Sequence, residues 1–216
     1  MGHLWRYVLG HQSDLTAQVI QHVLLVFQSV LVATVIALVL GLLTYRSQVA
    51  EKIAITTTAT LFTIPSLALF GLLIPLLGLG AGPAVVALIM YAVLPILRNT
   101  YAGLQAVDPA ILDAARGIGM TPRAVLWKAR LPLAGPVILT GVRVSTQMSI
   151  GVATIAAYAG GPGLGNEIFS GLARFGSTDS LTAVLVGLVG VVVLALAADA
   201  AFNGVQRFLI PRSVHV

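Results

Sequence analysis

The stretch DPAILDAARGIGMTPRAVLWKARLP, residues 108–132, is a polar segment in a chain that is otherwise rich in long apolar runs. Two helix-start signals, each a capping residue followed by proline, occur in it at Asp108–Pro109 and Thr121–Pro122. A polar N-cap before proline favours a helix start, and Gly117 or Gly119 favours a left-handed stop for the first helix. The stretch therefore predicts two helices of about two turns each, the second ending before Pro132.

The remaining sequence has the composition of a membrane protein. Of 216 residues, 58% are apolar and 9% are charged, whereas soluble domains average about 25% charged residues. Five apolar runs are long enough to cross a bilayer, and they predict spans at residues 20–44, 53–76, 83–99, 132–159 and 181–203. We expect a single all-α integral membrane domain over residues 1–216, with five transmembrane helices and a polar loop at residues 108–131.

The second and third predicted spans are separated by a glycine-rich turn that contains no charged residue. The segment 53–97 contains no charged residue, and it is about twice as long as one bilayer crossing. Gly78, Gly80, Gly82 and Pro83 cluster near its middle, where such residues favour a turn.

The distribution of basic residues predicts the orientation, because cytoplasmic loops retain Lys and Arg. With the polar loop inside, one side has only Arg6 and Arg174, and the other has Arg46, Lys52, Arg98, Arg116, Arg123, Lys128, Arg130, Arg207 and Arg212. This asymmetry predicts an outside N-terminus and a cytoplasmic C-terminus. Since the basic residues are divided among three short loops, the net charge of +5 indicates topology and not nucleic-acid binding.

The polar loop has features that suit contact with other molecules. Arg123, Trp127 and Arg130 recur at i, i+4 and i+7, a spacing that suits an anionic lipid surface with the indole at headgroup level. Membrane lipid is therefore an expected partner. The small side chains of Ala114 and Ala115 leave the loop tip without bulk, so that another protein's groove could receive it.

The polar loop resembles the EAA loop of bacterial ABC importer permeases. In that family a Glu-Ala-Ala triplet is followed, after three residues, by glycine and later by Leu-Pro, and this spacing matches Asp113, Ala114, Ala115, Gly119, Leu131 and Pro132. Asp113 replaces the usual glutamate, and Ala129 replaces the usual isoleucine. Both replacements keep the charge or the apolar character.

Four further stretches look like the permeases of osmoprotectant importers, which carry glycine betaine, carnitine, choline or related quaternary ammonium compounds. They are IPSLAL at 64–69, LPILRNTY at 94–101, GIGMTP at 117–122 and GGPGLG at 160–165. Because this assignment rests on similarity alone, a permease for another small polar solute, such as an amino acid, stays as the alternative.

The resemblance implies a type I ABC importer permease fold in the bacterial inner membrane, with residues 108–131 as a cytoplasmic two-helix coupling loop. It implies a second permease, identical or homologous, an extracytoplasmic substrate-binding protein, and two ATPase subunits that hold ATP and Mg. No cofactor is expected on this chain. The ATPase-coupling residues carried over by the resemblance are Asp113, Ala114, Ala115, Gly119, Met120, Thr121, Leu131 and Pro132.

Two features of the spans suggest functional roles. Arg143 lies inside an apolar run, where a guanidinium is costly unless it is paired, and the expected partner by charge is Asp199 in the last span. A gate or interface latch and a static anchor are equally compatible with this pair. Pro65 removes a helical hydrogen bond and predicts a kink, either as part of a gated translocation path or as a packing feature.

The segment around GPGLG, residues 161–165, is expected to be a flexible extracytoplasmic loop, with Asn166 and Glu167 as polar contacts for the binding protein. The histidines are too dispersed for a metal site, and no catalytic groups converge, so an enzyme is not expected. A secondary transporter would show duplicated halves and more ionisable residues at mid-membrane than Arg143 alone. Since an aromatic cage normally binds quaternary ammonium and the few aromatic residues are scattered, tight substrate recognition is assigned to the binding protein.

Overall fold

The computed structural model describes residues 2–177 and 179–209, and every regular element in these ranges is a helix. Arg212, used above to predict the orientation, lies outside the described residues. The α-helices are α1 Gly2–Gly10, α2 Gln12–Thr44, α3 Gln48–Phe62, α4 Ser66–Leu77, α5 Ala81–Gln105, α6 Pro109–Gly117, α7 Pro122–Val125, α8 Leu131–Ala156, α9 Gly165–Ala173 and α10 Ser180–Leu209.

Five membrane crossings are compatible with the helices of the described residues. α2, α5, α10 and the continuous segment Pro122–Ala159 are each long and apolar enough to span a bilayer. α3 and α4 meet the same criterion only together, and they are bent by 90° relative to each other. If this bent pair counts as one crossing, the number agrees with the sequence-based prediction.

Pro65 explains the break between α3 and α4. It has no backbone N–H to continue the hydrogen-bond ladder of α3, and its ψ of 135° turns the chain out of the helix. The Tyr91 hydroxyl donates to the Ile64 carbonyl at 2.5 Å, so a carbonyl at the break has a partner. The predicted kink is therefore a full corner, fixed by a side chain of α5.

α5 is the central helix, and glycines bring it close to α8. A Cβ atom at Gly103 would lie 2.9 Å from the Ala134 carbonyl oxygen, and one at Gly141 would lie 2.6 Å from the Asn99 Cβ atom. Small residues at both crossing points let the two backbones approach, as is usual between helices in a membrane. The apolar core forms around this contact, with α2 and α4 against the other sides of α5.

The second helix of the polar loop does not end before Pro132, and this expectation from the sequence is wrong. α7 continues through a π-helical turn, Leu126–Arg130, directly into α8. The Leu131 N–H donates to the Leu126 carbonyl, and Pro132 falls in the first turn of α8. Because a π turn already departs from the regular hydrogen-bond ladder, the proline is accommodated without ending the helix. The second half of the polar loop is thus an extension of the span.

The segment between α8 and α9 makes more contacts with the rest of the chain than the sequence suggests. It leads into α9, and the fully buried side chain of His22 fixes its start. The Leu164 N–H donates to His22 Nδ1 at 3.3 Å, while His22 Nε2 is 3.1 Å from the Ile150 carbonyl and donates to it. This histidine therefore ties α2 to α8 and to the segment at once, and the flexibility expected of the segment stays a prediction.

Candidate functional site

The polar loop begins each of its helices where the sequence predicts. The Asp108 carboxylate accepts from the Ala110 N–H at 2.8 Å, and the Thr121 hydroxyl oxygen accepts from the Ala124 N–H at 3.3 Å. These bonds satisfy N–H groups that have no partner inside the helix. The two predicted helix starts are confirmed.

Gly119 ends α6 in a Schellman motif. It has a φ of +87°, its N–H donates to the Arg116 carbonyl at 2.9 Å, and the next N–H, of Met120, donates to the Ala115 carbonyl at 3.1 Å. This double hydrogen-bond pattern with a left-handed glycine stops a helix and turns the chain sharply. The angle between α6 and α7 is therefore set by the glycine.

A small apolar core holds the two halves of the polar loop together. It consists of Val107, Leu112, Ala115 and Val125, with Met120 packed against it. Because Ala115 is only 8% exposed, its side chain faces this core. Within this chain the methyl group of Ala115 therefore serves the packing of the loop itself, and its entry into a partner's groove stays a prediction.

The surface that α6 offers to a partner is small and largely apolar. Asp113 and Ala114 are exposed, and Ile118, just beyond the helix, is 76% exposed. Ile118 follows Ala115 at helical spacing, but it lies beyond the last residue of α6, where helical periodicity no longer predicts which side a residue faces. Asp113 also pairs with Arg116 at 2.8 Å, an exposed ion pair of small energetic value.

Gly119→Ala is expected to loosen the polar loop, because a non-glycine residue in the left-handed region costs about 1–2 kcal/mol. Gly117→Ala is the matched control, since it is exposed, helical and equally free of neighbours for a new Cβ atom. Hydrogen exchange of the Met120 amide measures the effect. Exchange should accelerate in Gly119→Ala and stay at the wild-type rate in Gly117→Ala, and equal rates in the two variants would contradict the assigned role of Gly119.

Arg143 of α8 and Asp199 of α10 form the predicted pair. Arg143 Nε and Nη2 donate to the two carboxylate oxygens of Asp199, each at 2.8 Å. The fork geometry is bidentate, which is the strongest arrangement for these groups.

Three amide side chains complete the network around this pair. Arg143 Nη1 donates to Asn203 at 2.8 Å and to Gln206 at 3.3 Å, and Gln147 donates to Asp199. The sequence analysis did not predict these residues, although all three are polar side chains in apolar spans. Gln147 and Asn203 lie about one helical turn from Arg143 and Asp199, respectively, and Gln206 lies about two turns from Asp199. Pro65, the other residue of the spans for which the sequence suggested a functional role, lies at the α3–α4 corner. It is therefore not on the helices that carry Arg143 and Asp199.

Glu167 is buried inside the protein and does not lie on its surface. It is 6% exposed and accepts from the Tyr7 hydroxyl at 2.9 Å and from Gln18 Nε2 at 3.0 Å. Asn166 is bound through its side-chain amide to the carbonyls of Gly161 and Gly163. This geometry fixes α1 and α2 to α9, and it does not favour the suggested contact of Glu167 with a binding protein.

The contact between Tyr7 and Glu167 predicts a pH effect. Burial and then the bond to Glu167 raise the pKa of Tyr7 from 10.0 to about 12. Since the pKa is higher in the folded protein, the stabilisation is fully present below pH 10 and is lost as the pH rises toward about 12. In a difference absorbance titration, Tyr7→Phe should remove tyrosinate signal near pH 12, and removal of signal near pH 10 would contradict the contact.

Among residues 2–177 and 179–209, no group of three His, Cys, Asp or Glu side chains could hold a metal ion. The features described above are a polar loop that extends a span, an ion pair between two spans and a set of crossing helices.

Solved structures with the same architecture identify the fold. The fold matches the MetNI methionine ABC transporter in an inward-facing conformation, with a TM-score of 0.82 and 21% identity, covering 94% of this chain and 99% of that chain. An amino acid ABC transporter solved with histidines matches with a TM-score of 0.76 and 19% identity, covering 93% of this chain and 96% of that chain. These likenesses show the type I ABC importer permease fold.

The chain belongs to the family of binding-protein-dependent transport system inner membrane components, whose model matches residues 18–211. It is 37% identical over 211 residues to the choline transport system permease protein OpuBB of Bacillus subtilis, covering 98% of this chain and 95% of that protein. The osmoprotectant import permease protein OsmW of Salmonella typhimurium is 36% identical over 213 residues, covering 96% and 97%.

The family resemblance inferred from the polar loop is thus confirmed. The protein is a multi-pass inner-membrane subunit of a transport system and not a catalytic subunit. Membership of this family implies an ATPase, a substrate-binding protein and a paired permease as partners.

Proposed function

We propose that this permease imports quaternary ammonium osmoprotectants, such as choline, carnitine or glycine betaine. The observation that carries the proposal is similarity over almost the whole chain to permeases named for these solutes, including the carnitine transport permease protein OpuCB of Listeria monocytogenes, which is 36% identical over 95% of this chain. The matches to amino acid transporters lie below 25% identity. They concern the fold alone and do not favour an amino acid as substrate.

Coupling to ATP hydrolysis is assigned to the polar loop. The exposed surface of Ala114 and Ile118 enters a cleft of one of two ATPase subunits, which bind the ATP and Mg. Because α7 continues through the π turn into α8, a displacement of the loop moves the span with it. ATP binding then favours the outward-facing permease through a shift in the population of two states.

The proposal also includes the orientation of the chain in the membrane and a second permease. The N-terminus lies outside, the polar loop and the C-terminus lie in the cytoplasm, and the permease pairs with an identical or homologous copy in the bacterial inner membrane. The predicted asymmetry of basic residues supports this orientation.

Tight binding of the solute is assigned to the extracytoplasmic binding protein. Aromatic ring contacts among the described residues of this chain are pairs, such as Phe62 with Tyr91 and Tyr158 with Phe169. A cage for a quaternary ammonium group requires several rings around one cation. The chain therefore supplies a passage of low affinity.

Uptake by the reconstituted complex tests the proposal. The permease, its ATPase and its binding protein are placed in proteoliposomes, and ATP-dependent uptake of radiolabelled choline, carnitine and glycine betaine is compared with that of methionine and histidine. We expect uptake of at least one quaternary amine and none of the amino acids. Uptake of an amino acid alone would contradict the proposed substrate class.

A further inference from the structure

A basic pocket lies between the end of α2 and the polar loop. Its volume is about 510 Å³, which is within the range of about 300–1,000 Å³ typical of sites for small ligands. It is lined by Tyr45, Arg46, Arg116, Pro122, Val125, Leu126 and Arg130. Three guanidinium groups thus share a pocket with apolar side chains on one side.

The positive charge in this pocket is poorly compensated within the chain. Two of the arginines lie close to the Tyr45 ring, with the Cζ atoms of Arg46 and Arg130 at 5.5 and 5.4 Å from its centroid. Among the described residues, neither Arg46 nor Arg130 has a carboxylate within 4.0 Å, and of the three arginines that line the pocket only Arg116 is paired, with Asp113. Cations held close together without counter-charges favour the binding of an anion.

The pocket lies beside the end of α2 and the start of α8, two of the candidate spans. Tyr45 directly follows α2, and Arg130 is the last residue of the π turn before α8. Tyrosine, arginine and the neighbouring Trp127, which is 59% exposed, are residue types that concentrate at the headgroup level of a bilayer. An anion available at this depth is the headgroup of an acidic phospholipid.

We propose that the pocket binds the headgroup of an anionic phospholipid, with the phosphate between Arg46 and Arg130. Each guanidinium offers a planar fork of N–H donors that matches the phosphate oxygens. Val125 and Leu126 line the same pocket and suit the glycerol backbone and the first methylene groups of the lipid. The bound lipid joins the end of α2 to the turn that connects the polar loop with α8.

The test uses native mass spectrometry of the purified permease–ATPase complex. The complex is titrated with phosphatidylglycerol, with phosphatidylcholine of the same acyl chains, and with glycerol phosphate as a soluble phosphate probe. The pocket variant is Arg46→Gln with Arg130→Gln. The matched control is Arg123→Gln with Lys128→Gln, which removes two charges from the same loop region at exposed positions that do not line the pocket.

We expect the wild-type complex to prefer phosphatidylglycerol to phosphatidylcholine, and the pocket variant to lose about tenfold or more in affinity for phosphatidylglycerol, because charge-assisted hydrogen bonds are lost. Each double variant removes two positive charges, so diffuse attraction of the lipid to the surface falls equally in both. Because the control keeps Arg46 and Arg130, it should bind phosphatidylglycerol more tightly than the pocket variant. If the double variant does not assemble, Arg46→Gln alone should show the loss, since Arg46 is exposed at a helix end.

Three results would overturn the proposal. Equal losses in the two double variants would reduce the site to diffuse surface attraction. Glycerol phosphate binding as tightly as the lipid, with the same dependence on Arg46 and Arg130, would identify a soluble phosphate as the ligand. Loss of the ATPase from the pocket variant with unchanged lipid binding would assign the arginines to the protein interface.

Discussion

Ala114→Trp is expected to reduce uptake to the background level while the permease still inserts, folds and retains ATPase activity in its partner. Ala114 is exposed on the outward side of α6, so the indole does not disturb the apolar core of the loop. It does add bulk at the surface that is proposed to enter the ATPase cleft. Uptake and ATP hydrolysis measured in the same proteoliposomes test the effect, because loss of coupling lowers the ratio of solute imported to ATP hydrolysed.

Two control variants separate docking from folding of the loop. Ala114→Ser keeps a small side chain at the same position and should retain uptake. Ala115→Trp forces a large side chain into the loop core, which costs about 1–3 kcal/mol, so it should also increase protease sensitivity of residues 108–131. Wild-type uptake in Ala114→Trp would show that α6 does not enter a tight cleft.

Asp199→Asn is expected to destabilise the permease by roughly 2 kcal/mol, because it leaves Arg143 without its counter-charge inside a span. The side chains of Arg143 and Asp199 are 25% and 28% exposed, so the effect should be smaller than at a fully buried pair. Thermal unfolding of the detergent-purified protein measures the loss. Arg116→Gln is the control, since it breaks the exposed pair with Asp113 and should change stability little.

The double variant Arg143→Gln with Asp199→Asn should regain most of the lost stability, because two neutral amides leave no unpaired charge. A double variant as unstable as Asp199→Asn would contradict this explanation. Uptake then distinguishes the two roles of the pair. A static anchor predicts that uptake returns together with stability, whereas a gate predicts that stability returns and uptake does not.

Features that depend on local sequence could be predicted. The helix starts at Asp108 and Thr121 require only a capping side chain followed by proline, and the α6 stop requires only Gly119. The turn between α4 and α5 falls at residues 78–80, where Gly78 and Gly80 have the positive φ values of a glycine turn. The Arg143–Asp199 contact could be predicted because a charge in an apolar span needs a partner.

Features that depend on tertiary packing could not be predicted from the pattern. Pro132 suggests a helix end, but the π turn before it depends on how α7 joins α8. The sequence alone does not distinguish Ala114 from Ala115. Ala115 faces inward because it packs against Val107 and Val125 in the folded loop. Glu167 reads as a surface carboxylate because its partners, Tyr7 and Gln18, are about 150 residues away in the chain.

Cross-linking from a single cysteine at Ala114 tests most directly the central claim that the polar loop contacts the ATPase. The chain contains no cysteine, so Ala114→Cys labelled with a maleimide–benzophenone reports one position only. Phe175→Cys, at a residue that is 88% exposed and predicted to lie outside, is the control. We predict a covalent adduct with the ATPase from position 114 and none from position 175. An adduct from position 175 and none from position 114 would contradict the proposed coupling.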